Sequence, residues 1–580
     1  MILFYDFEVF KYYWCVVIID PSNRKRYVIE TREDLTTFYE NHKDWIWCGY
    51  NSKGFDQFIL KGIILGYDPY KVMNWIIQQG QSGWFFSKDM KDVPLIDYDV
   101  IVKRGGNYVG LKNLEYHMGE SIIECSVPFD LDRPLTDKEK QEVIYYCTND
   151  VEATIRTFLI EKSTFDAKLG LIKMYKLPLK LINKTNAQLT AIVLGAKQPS
   201  LPRGDEFKLF LPKCLKLNKY QYVADWYMNT DNHSYFNNLV TNVWGIETTY
   251  GWGGFHGAKS NVDESGIIVD SDVASLYPAT MIIFNLLSRN IPDELKGLYE
   301  EIRDNRIKLK KEKNPLQAAL KLILNTTYGI LKDVNNPMYD PLMSNEVCIH
   351  GMLLMTMLIE MLEERFGDTI QLLQLNTDGI FVKLQSMDQF EEYKQICDKW
   401  CKITGYEMEH DHYKRYVAKD VNNYVAIKES GKLHRKGAYI KELSANDYEL
   451  AIVNKALVDY LIKDIPIETT INNCTSLKEF QMVAKLGPTY NHLLHGDEVL
   501  EHKYYRIFAS KNKNDGGMYK AKSNGKKDKI ANTPPNCFID NSNINGKRVP
   551  RNLDKQYYID LAWKRAIQFL GRDPRQLRLW

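Results

Sequence analysis

The stretch Asp272-Val-Ala-Ser-Leu-Tyr-Pro278 carries most of the information in this sequence. The run Gly266-Ile-Ile-Val-Asp-Ser-Asp272 before it predicts a strand, and we expect Pro278 to set the turn that ends this strand. A second acidic residue, Asp378, stands in Asn376-Thr-Asp378, inside a predicted strand, tight turn and returning strand. Two carboxylates on neighbouring strands can hold two Mg²⁺ ions, which clamp the attacking and leaving oxygens of an in-line phosphoryl transfer. The pair therefore predicts a metal-dependent phosphoryl-transfer site.

Length, charge and cysteine usage set broad limits. At 580 residues the chain is too long for one core, and we expect about three to five domains. The net charge is only +2, so any surface for nucleic acid has to be local. We find no apolar run long enough to cross a bilayer and no signal peptide, and we expect a cytoplasmic protein without a membrane partner. The ten cysteines are scattered, which favours reduced thiols over a zinc site.

A second acidic site is predicted near the N-terminus. Asp6 and Glu8 lie two apart in an apolar strand, so both side chains point to one face. Two such carboxylates are costly in apolar company unless a cation neutralises them; the alternative is an edge strand with a solvated acidic face. Further on, Asn51-Ser-Lys-Gly-Phe-Asp56 predicts a strand end that turns into a helix. Tyr146 and Asp150, four apart, share one face of a later predicted helix.

A helical hairpin is predicted between the Asp272 and Asp378 strings. Residues 298–313 and 316–328 are the two predicted helices, and a proline separates them. On the second helix, Lys321, Asn325 and Tyr328 share a face opposite the apolar one. A lysine, an amide and an aromatic ring turned away from the packed side suit a nucleotide, with the lysine as a point charge for a phosphate.

Together and in this order, the strings around Asp272, Lys321 and Asp378 resemble the polymerase motifs of family B DNA polymerases. The N-terminal strings resemble the three motifs of their DnaQ-like 3′–5′ proofreading exonuclease. The resemblance implies an α/β and α+β multidomain fold, in which an RNase H-like exonuclease domain precedes a right-hand polymerase. The implied boundaries are 1–165 for the exonuclease, 166–248 for a connecting region, 249–297 and 333–438 for the palm, 298–332 for the fingers, and 439–580 for the thumb and C-terminal region.

The resemblance also implies the roles of individual residues in the two sites. In the exonuclease, the metal ligands are Asp6, Glu8, Asp56 and Asp150, with Tyr146 placing the attacking water and Asn51 and Phe55 holding the frayed primer end. In the polymerase site, the metal ligands are Asp272 and Asp378, and Tyr277 is the steric gate against ribonucleotides. The other implied nucleotide-binding residues are Ser275, Leu276, Arg306, Lys310, Lys321, Asn325 and Tyr328. For Arg306 and Lys310, a solvated basic face is the alternative.

Contacts with DNA are implied at several further positions. Gly253 and Gly254 approximate a Tyr-x-Gly-Gly turn of the protein-primed branch, and a purely structural turn is the alternative. Thr377 stands in the motif that is usually Asp-Thr-Asp-Ser, from which this chain departs at Asn376 and Gly379. The implied contacts with the primer and template are Tyr424 and Lys436. The lysine that usually stands two positions before this tyrosine is missing, because residue 422 is Asn.

The lysine-rich stretch 511–529 has almost no apolar residues. We expect it to be either a loop laid along the DNA backbone or a disordered segment, and we favour the loop, with Lys520 and Lys522 as DNA contacts.

The implied activity is DNA-directed DNA polymerisation with 3′–5′ proofreading, with two Mg²⁺ ions per active site and Mn²⁺ as a substitute. The implied partners are a DNA template–primer, dNTPs and phage replication accessory proteins, and we expect a monomer in the cytoplasm of a host cell. The exonuclease motifs start at Asp6, so we expect the N-terminal domain of larger members to be missing. Only 49 positions separate Asp272 from Lys321, which leaves no room for the insertion of protein-primed members and favours a compact phage-type enzyme.

Three alternatives stay open at this point. A 3′–5′ exonuclease whose inactive palm only holds DNA is favoured by Asn376 and Asn422. A protein-primed polymerase acting with a terminal protein is the second, and a template-independent or primer-making polymerase is the third.

Overall fold

The structure is a computed structural model that describes residues 1–104, 106–198 and 204–576. The chain divides into two compact units. The first unit contains residues 1–184, 443–451 and 474–557, and the second contains residues 185–442, 452–473 and those from 558 onward. Both units combine helices with β-sheets. The mixed α/β multidomain architecture predicted from the sequence is therefore confirmed. The predicted boundary at residue 165 falls inside a helix, and residues 166–248 are shared between the two units.

The N-terminal segment of the first unit folds around a sheet with strand order β3-β2-β1-β4-β5. Its elements are β1 Ile2–Phe10, β2 Tyr13–Asp20, β3 Lys25–Ile29, α1 Arg32–His42, β4 Ile46–Gly49, α2 Asp56–Leu65, α3 Pro69–Met73, β5 Ile96–Asp99, β6 Lys103–Arg104, β7 Asn107–Tyr108, α4 Leu111–Met118 and α5 Asp137–Met174. β1 pairs antiparallel with β2 and parallel with β4, so it lies in the middle of the sheet. The strand carrying Asp6 and Glu8 is therefore central, and the alternative of a solvated edge strand is excluded.

Both faces of β1 are covered by apolar side chains. Leu3, Tyr5 and Phe7 join a cluster on one face, whereas Phe4 joins a cluster with side chains of α5 on the other. Since side chains alternate along a strand, Asp6 and Glu8 lie on the same face as Phe4, toward α5. A reciprocal capping box starts α5, in which Glu139 N–H donates to Thr136 Oγ1 at 3.3 Å and Thr136 N–H donates to the Glu139 carboxylate at 2.8 Å.

The second unit is built on a large sheet. Its elements, in chain order, are α6 Asn186–Val193, α7 Gln221–Met228, β8 Leu239–Val243, β9 Ile246–Gly251, β10 Gly254–Ala258, β11 Val262–Val273, α8 Leu276–Ile283, α9 Asp293–Lys311, α10 Gln317–Ile330, α11 Pro341–Phe366, β12 Gln371–Asn376, β13 Gly379–Leu384, α12 Met387–Thr404, β14 Met408–Asp420, β15 Asn423–Ile427, β16 Leu433–Lys436, α13 Ala451–Lys463 and α14 Ile467–Asn473. The strand order is β16-β15-β14-β11-β13-β12-β10-β9-β8, and each described pairing is antiparallel.

The strands and helices around the central motif are where the sequence predicts them, with shifted ends. β11 ends at Val273, and the chain turns at Ser275, which has a left-handed φ of 55°. The expectation that Pro278 sets this turn is wrong, because Pro278 lies inside the first turn of α8. Proline is tolerated there, since the first N–H groups of a helix have no intrahelical partner. The predicted helical hairpin is confirmed as α9 and α10.

The central helix α11 passes a length and composition test for membrane spans. The stretch Pro341–Thr369 has a mean hydropathy of 1.5 over 18 residues, and all of that window is buried. The expectation that no apolar run is long enough to cross a bilayer is therefore wrong by this test. Met352, Leu353 and Leu358 of α11 belong to the main apolar cluster of the second unit. The burial identifies α11 as a core helix, which is apolar all round because protein surrounds it.

The C-terminal segment 474–557 belongs to the first unit. The remaining elements of the chain are β17 Met482–Lys485, β18 His492–His495, β19 Glu498–Leu500, β20 Tyr504–Ala509, β21 Met518–Ala521, β22 Lys527–Lys529, β23 Cys537–Ile539 and α15 Lys555–Leu570. The side chain of Arg506 on β20 is fully buried and donates to the carbonyl oxygens of Tyr116 at 3.1 Å and Glu120 at 2.7 Å. The predicted region 439–580 is therefore divided between the two units rather than forming one compact piece.

The lysine-rich stretch is neither an extended loop nor without structure. β21 pairs antiparallel with β18 and β22, and Met518 at its start is fully buried. The ammonium groups of Lys520 and Lys522 lie 4.3 Å and 5.4 Å from the centre of the Tyr490 ring. Cross-strand pairing and cation–π contacts thus order a segment whose composition predicts a loop.

Candidate active sites

The N-terminal acidic residues converge at the contact between β1 and α5. Ligand atoms of Asp6, Glu8 and Cys147 lie within 4.8 Å of one another. Asp56, at the start of α2, accepts a hydrogen bond from the backbone N–H of Phe7 at 3.0 Å, so it lies beside the same stretch of β1. Asp150 lies one turn beyond Cys147 on α5, and its charge acts on both Asp6 and Glu8. The four predicted acidic residues are thus brought together, although they come from three separate parts of the sequence.

The electrostatics of this cluster favour a bound cation. Burial, followed by the nearby Asp56 and Asp150 carboxylates, raises the pKa of Asp6 well above its usual range. Burial and the adjacent Asp6 do the same to the pKa of Glu8, and burial raises the pKa of Asp56 to about 8. A divalent cation would remove this repulsion, and hard carboxylate oxygens are the ligands that Mg²⁺ prefers. The residues therefore fit a magnesium site.

Lys112 on α4 is a basic residue of this site that the sequence analysis missed. Its ammonium group contacts the Asp150 carboxylate, lies 3.2 Å from Glu115 Oε1, and lies 4.5 Å from the centre of the Tyr146 ring. Burial alone would lower the pKa of Lys112, but the Asp150 and Glu115 carboxylates outweigh it and raise the pKa. No motif in the sequence distinguishes Lys112 from other lysines, since 38 residues separate it from Asp150.

The loop before α2 is held by carboxylates of β5, which the sequence analysis also missed. Asn51 has a left-handed φ of 61°, and its N–H donates to Asp99 Oδ1 at 2.8 Å. Asp97, on the same strand, accepts from the Tyr5 hydroxyl at 3.1 Å and from the Asn183 amide at 2.6 Å. The Asp99 bond thus holds the loop that carries Phe55 and Asp56, whereas the Asp97 bonds join β5 to β1 and to Asn183.

A cavity of about 380 Å³ adjoins the acidic cluster. Glu8 and Phe55 line it, together with Tyr70, Ile77 and Phe129. Ile77 is 58% exposed and Phe129 46% exposed, so apolar surface faces solvent at its mouth. An apolar cavity beside carboxylates suits a nucleobase whose phosphate lies at the acidic end. Phe55 lines this cavity and Asn51 does not, and the contact of both with a primer end stays a prediction.

The second acidic site lies at the edge where β11 and the β12–β13 turn meet. Asp272 pairs with Gly379 across the sheet, and Val273 N–H donates to the backbone oxygen of Asp378 at 2.8 Å. Burial, followed by Asp378, raises the pKa of Asp272 to about 7. A Cβ atom at Gly379 would lie 1.8 Å from Asp272 Oδ1, so glycine leaves the space that this carboxylate occupies. The two carboxylates fit divalent cations for the same reason as the first cluster.

A cavity of about 540 Å³ is lined by residues from all three central motif strings. The lining residues are Ser275, Leu276, Tyr277, Pro278, Leu324, Asn325, Tyr328, Asn376, Thr377 and Asp378. The rings of Tyr277 and Tyr328 stack with their centres 3.9 Å apart and their planes 16° apart. A cavity lined by stacked aromatic rings and a carboxylate suits a nucleotide that is bound through a cation.

The predicted basic residues of the helical hairpin lie outside this cavity wall. Lys321 is exposed one turn before Asn325 on α10, and the predicted apolar face of α10 is buried as expected. On α9, Lys310 is exposed and Arg306 is half-buried. The structure therefore brings Asn325 and Tyr328 to the cavity, and it leaves Lys321, Arg306 and Lys310 on the surface of the hairpin.

Asp270 is buried beneath the second acidic site. Its side chain points to the same face as that of Asp272, it is 3% exposed, and burial together with Asp272, Asp411 and Asp378 raises its pKa to about 9. Asp411 pairs with Asp270 from β14, and the sequence analysis missed it. The sheet thus carries two further carboxyl groups here, the buried Asp270 and the exposed Asp411, beside the two predicted ligands.

The glycine turn lies next to the Asn376-Thr-Asp378 string. Thr377 Oγ1 accepts from the Phe255 N–H at 3.1 Å, and a Cβ at Gly254, whose φ is +150°, would lie 2.4 Å from this oxygen. A cavity of about 460 Å³ opens here, lined by Gly253, Gly254, His256, Asn376, Thr377 and Asn422 among others. Lys332, another missed residue, lines it too, and its ammonium group donates to the Trp252 carbonyl at 3.1 Å. Among the described residues, none that lines this cavity is a carboxylate, which suits a DNA strand.

The remaining predicted DNA contacts lie elsewhere. Tyr424 on β15 is 5% exposed and packs against Phe381 and Tyr416, so its ring is part of the core. Lys436 pairs with Tyr424 from β16 at the edge of the sheet. Lys520 and Lys522 belong to the first unit, on and just after β21.

Comparisons with known proteins agree with the motif assignment. No family model matches the chain. DNA polymerase 1 of Saccharolobus solfataricus is 24% identical over 306 residues, which are 44% of this chain and 33% of that protein. DNA polymerase 1 of Sulfurisphaera ohwakuensis is 26% identical over 229 residues, which are 39% of this chain and 23% of that protein. The chain thus spans a third or less of the length of these curated relatives.

A solved structure also matches. The family B DNA polymerase of the hyperthermophilic archaeon Pyrobaculum calidifontis is 15% identical, with a TM-score of 0.42, and the match covers 98% of this chain and 77% of that one. The similarity to two curated DNA polymerases is in line with the resemblance of the motif strings to family B DNA polymerases.

Proposed function

We propose that this chain is a DNA-directed DNA polymerase that adds dNTPs to a primer 3′ end and removes mispaired ends with a separate 3′–5′ exonuclease. The observation that carries the proposal is the cavity of about 540 Å³, which Tyr277, Asn325, Tyr328 and Asp378 all line. These residues come from three distant strings, and each belongs to the type that nucleotide addition requires. The nine-stranded sheet of the described second unit would be the palm, and α9 and α10 the fingers.

In the polymerase site, Asp272 and Asp378 would hold two Mg²⁺ ions, with Mn²⁺ as a substitute. Such ions neutralise the developing charge and lower the pKa of the attacking primer hydroxyl. The stacked rings of Tyr277 and Tyr328 form the wall against which the sugar and base of a dNTP are placed. Ser275 and Leu276 offer backbone groups at the N-terminus of α8, where phosphate oxygens are favoured. Lys321 on α10, together with Arg306 and Lys310 on α9, would supply charge for the triphosphate.

In the exonuclease site, Asp6, Glu8, Asp56 and Asp150 would hold the metal ions that activate a water for hydrolysis. Tyr146 lies on α5 one turn before Asp150, and its hydroxyl positions this water. Phe55 packs against the terminal base in the apolar cavity beside Glu8. With the terminal base held at Phe55, the terminal phosphodiester would lie at the carboxylates of the acidic cluster.

Partners follow from the two sites. We propose a DNA template–primer and dNTPs as substrates, with the carboxylate-free cavity near Gly254 and Lys332 as a contact for one DNA strand. The compact phage-type organisation, accessory proteins, cytoplasmic location and monomeric state stay predictions.

A primer assay tests the proposed function. A 5′-labelled primer on a longer template, with Mg²⁺, should be extended when all four dNTPs are present and shortened when they are absent. Shortening under both conditions would favour an exonuclease whose palm only holds DNA, a reading supported by Asn376 and Asn422 in the cavity beside the Thr377 string. No activity on this primer would favour protein priming, and the assay would then be repeated with a candidate terminal protein.

Replacing Tyr277 by alanine should relax the exclusion of ribonucleotides. Its ring lies over Tyr328 in the cavity wall, so its removal opens space where a 2′-hydroxyl would otherwise collide. We expect the ratio of kcat/KM for dNTP to that for rNTP to fall by about 10- to 100-fold, comparable with the loss of one steric contact of about 1–3 kcal/mol. Tyr339→Ala, on the loop after the hairpin, is the control. Unchanged discrimination in Tyr277→Ala would show that this ring is not the gate.

A further inference from the structure

A buried thiol lies among the carboxylates of the first site. Cys147 is fully buried on α5, and its Sγ lies 3.3 Å from the backbone oxygen of Asp6 and 3.6 Å from Asp6 Oδ2. Its sulfur and one oxygen each of Asp6 and Glu8 lie within 4.8 Å of one another. The ligand atoms of one tetrahedral zinc ion are roughly 3.3–3.6 Å apart, given metal–oxygen bonds of about 2.1 Å and metal–sulfur bonds of about 2.3 Å. A small contraction would therefore let all three atoms bind one ion.

Glu8 is the second observation that points to a ligand. Glu8 is 8% exposed, and within the described parts of the chain its carboxylate has no hydrogen bond and no ion pair. The other carboxylates have partners, since Asp56 accepts from the Phe7 N–H and Asp150 contacts Lys112. A buried carboxylate without a hydrogen bond is costly unless it binds a cation. Glu8 is directed at the same point as Asp6 and Cys147.

We propose that Asp6, Glu8 and Cys147 form a site for a thiophilic divalent cation such as Zn²⁺ or Cd²⁺, with the Cys147 thiolate as its third protein ligand. Two carboxylates alone suit Mg²⁺ and Mn²⁺, whereas an added thiolate shifts the preference toward softer ions. When the metal–sulfur bond forms, the S–H bond breaks and its proton passes to solvent. The consequence for activity rests on the proposed exonuclease: a zinc ion held here would occupy the place of the hydrolytic Mg²⁺ and slow the shortening of a primer.

The site can be tested by titrating the metal-free full-length chain with Co²⁺, without DNA or nucleotide. Cobalt bound to a thiolate absorbs in the near ultraviolet by sulfur-to-metal charge transfer, whereas cobalt bound to oxygen ligands alone does not. We expect one such band per chain and its loss in Cys147→Ser, with Co²⁺ affinity lowered by at least about 10-fold. Cys397→Ser is the matched control, because Cys397 is an equally buried thiol on a helix of the other unit. This variant should keep the band.

Two results would overturn the proposal: a wild-type chain without the band, or a band that persists in Cys147→Ser. Cys147→Ala provides a second variant, and thermal unfolding of each variant shows whether the fold is kept, so that loss of the band is not confused with unfolding. Cd²⁺ in competition with Co²⁺ should bleach the band, and excess Mg²⁺ should not; a band that Mg²⁺ bleaches as readily would contradict a thiophilic site. Since no DNA is present, failure of the thiolate site is separate from failure of the exonuclease proposal, which the primer assay decides.

Discussion

Replacing Asp272 or Asp378 by alanine is expected to lower the rate of nucleotide addition by about 10³-fold or more, while primer shortening without dNTPs continues. Each carboxylate is half of a charge cluster at the edge where β11 meets the β12–β13 turn, and burial with Asp378 raises the pKa of Asp272. Removing one carboxylate therefore removes one of the two proposed metal ligands. A 10³-fold loss corresponds to about 4 kcal/mol of transition-state stabilisation.

The measurement is single-nucleotide extension of a labelled primer under single-turnover conditions, with shortening followed in parallel. Asp388→Ala is a suitable control, because Asp388 is an exposed carboxylate on the adjoining helix α12 and should leave both activities unchanged. If either Asp272→Ala or Asp378→Ala extended primers at the wild-type rate, the second acidic site would not be the polymerase centre. Loss of both activities in a folded variant would mean that the two sites are not separate.

The double replacement of Asp6 and Glu8 by alanine should have the opposite effect. We expect shortening to fall by about 10³-fold or more, because the central strand β1 then offers no metal ligand, and extension in the presence of dNTPs should stay close to that of the wild type. Burial, followed by the charge of neighbouring carboxylates, raises the pKa of both carboxyls, so their removal relieves an unfavourable burial and should not unfold the chain.

Hydrolysis of a 3′-labelled single strand measures this loss directly. The control is Glu152→Ala, since Glu152 is an exposed carboxylate on α5, the helix that also carries Asp150. A double variant that still shortens primers as fast as the control would place the hydrolytic site elsewhere. A greater rate of mismatch extension by the double variant would be the expected sign of lost proofreading.

Local periodicity is what the sequence could predict well. The two-residue repeat of β1 puts Asp6 and Glu8 on one face, and the helical repeat of α10 puts Asn325 and Tyr328 opposite its buried side. Each of these conclusions depends only on neighbours within a turn or a strand. The structure confirms them because the same short-range geometry operates in the folded chain.

Long-range contacts are what the sequence could not predict. Lys112 reaches Asp150 across 38 residues, and Arg506 reaches the carbonyl of Glu120 across 386. Nothing in the residue types near Lys112 or Arg506 indicates these partners. The error over Pro278 has a different cause, because a proline signals either a turn or the first turn of a helix, and only the helix that follows decides between them. The sequence does not single out Cys147, because its thiol comes close to Asp6 and Glu8 only when α5 packs against β1.

The return of residues 474–557 to the N-terminal unit has a consequence for synthesis on the ribosome. Residues 1–184 emerge first, yet the carbonyl groups of Tyr116 and Glu120 meet Arg506 only after more than 300 further residues have been made. At about 5–20 residues per second, the N-terminal segment waits tens of seconds for the C-terminal segment of its unit. The first unit would then be completed after most of the second unit has already been translated. A nonsense mutation late in the reading frame would therefore damage the earliest part of the chain.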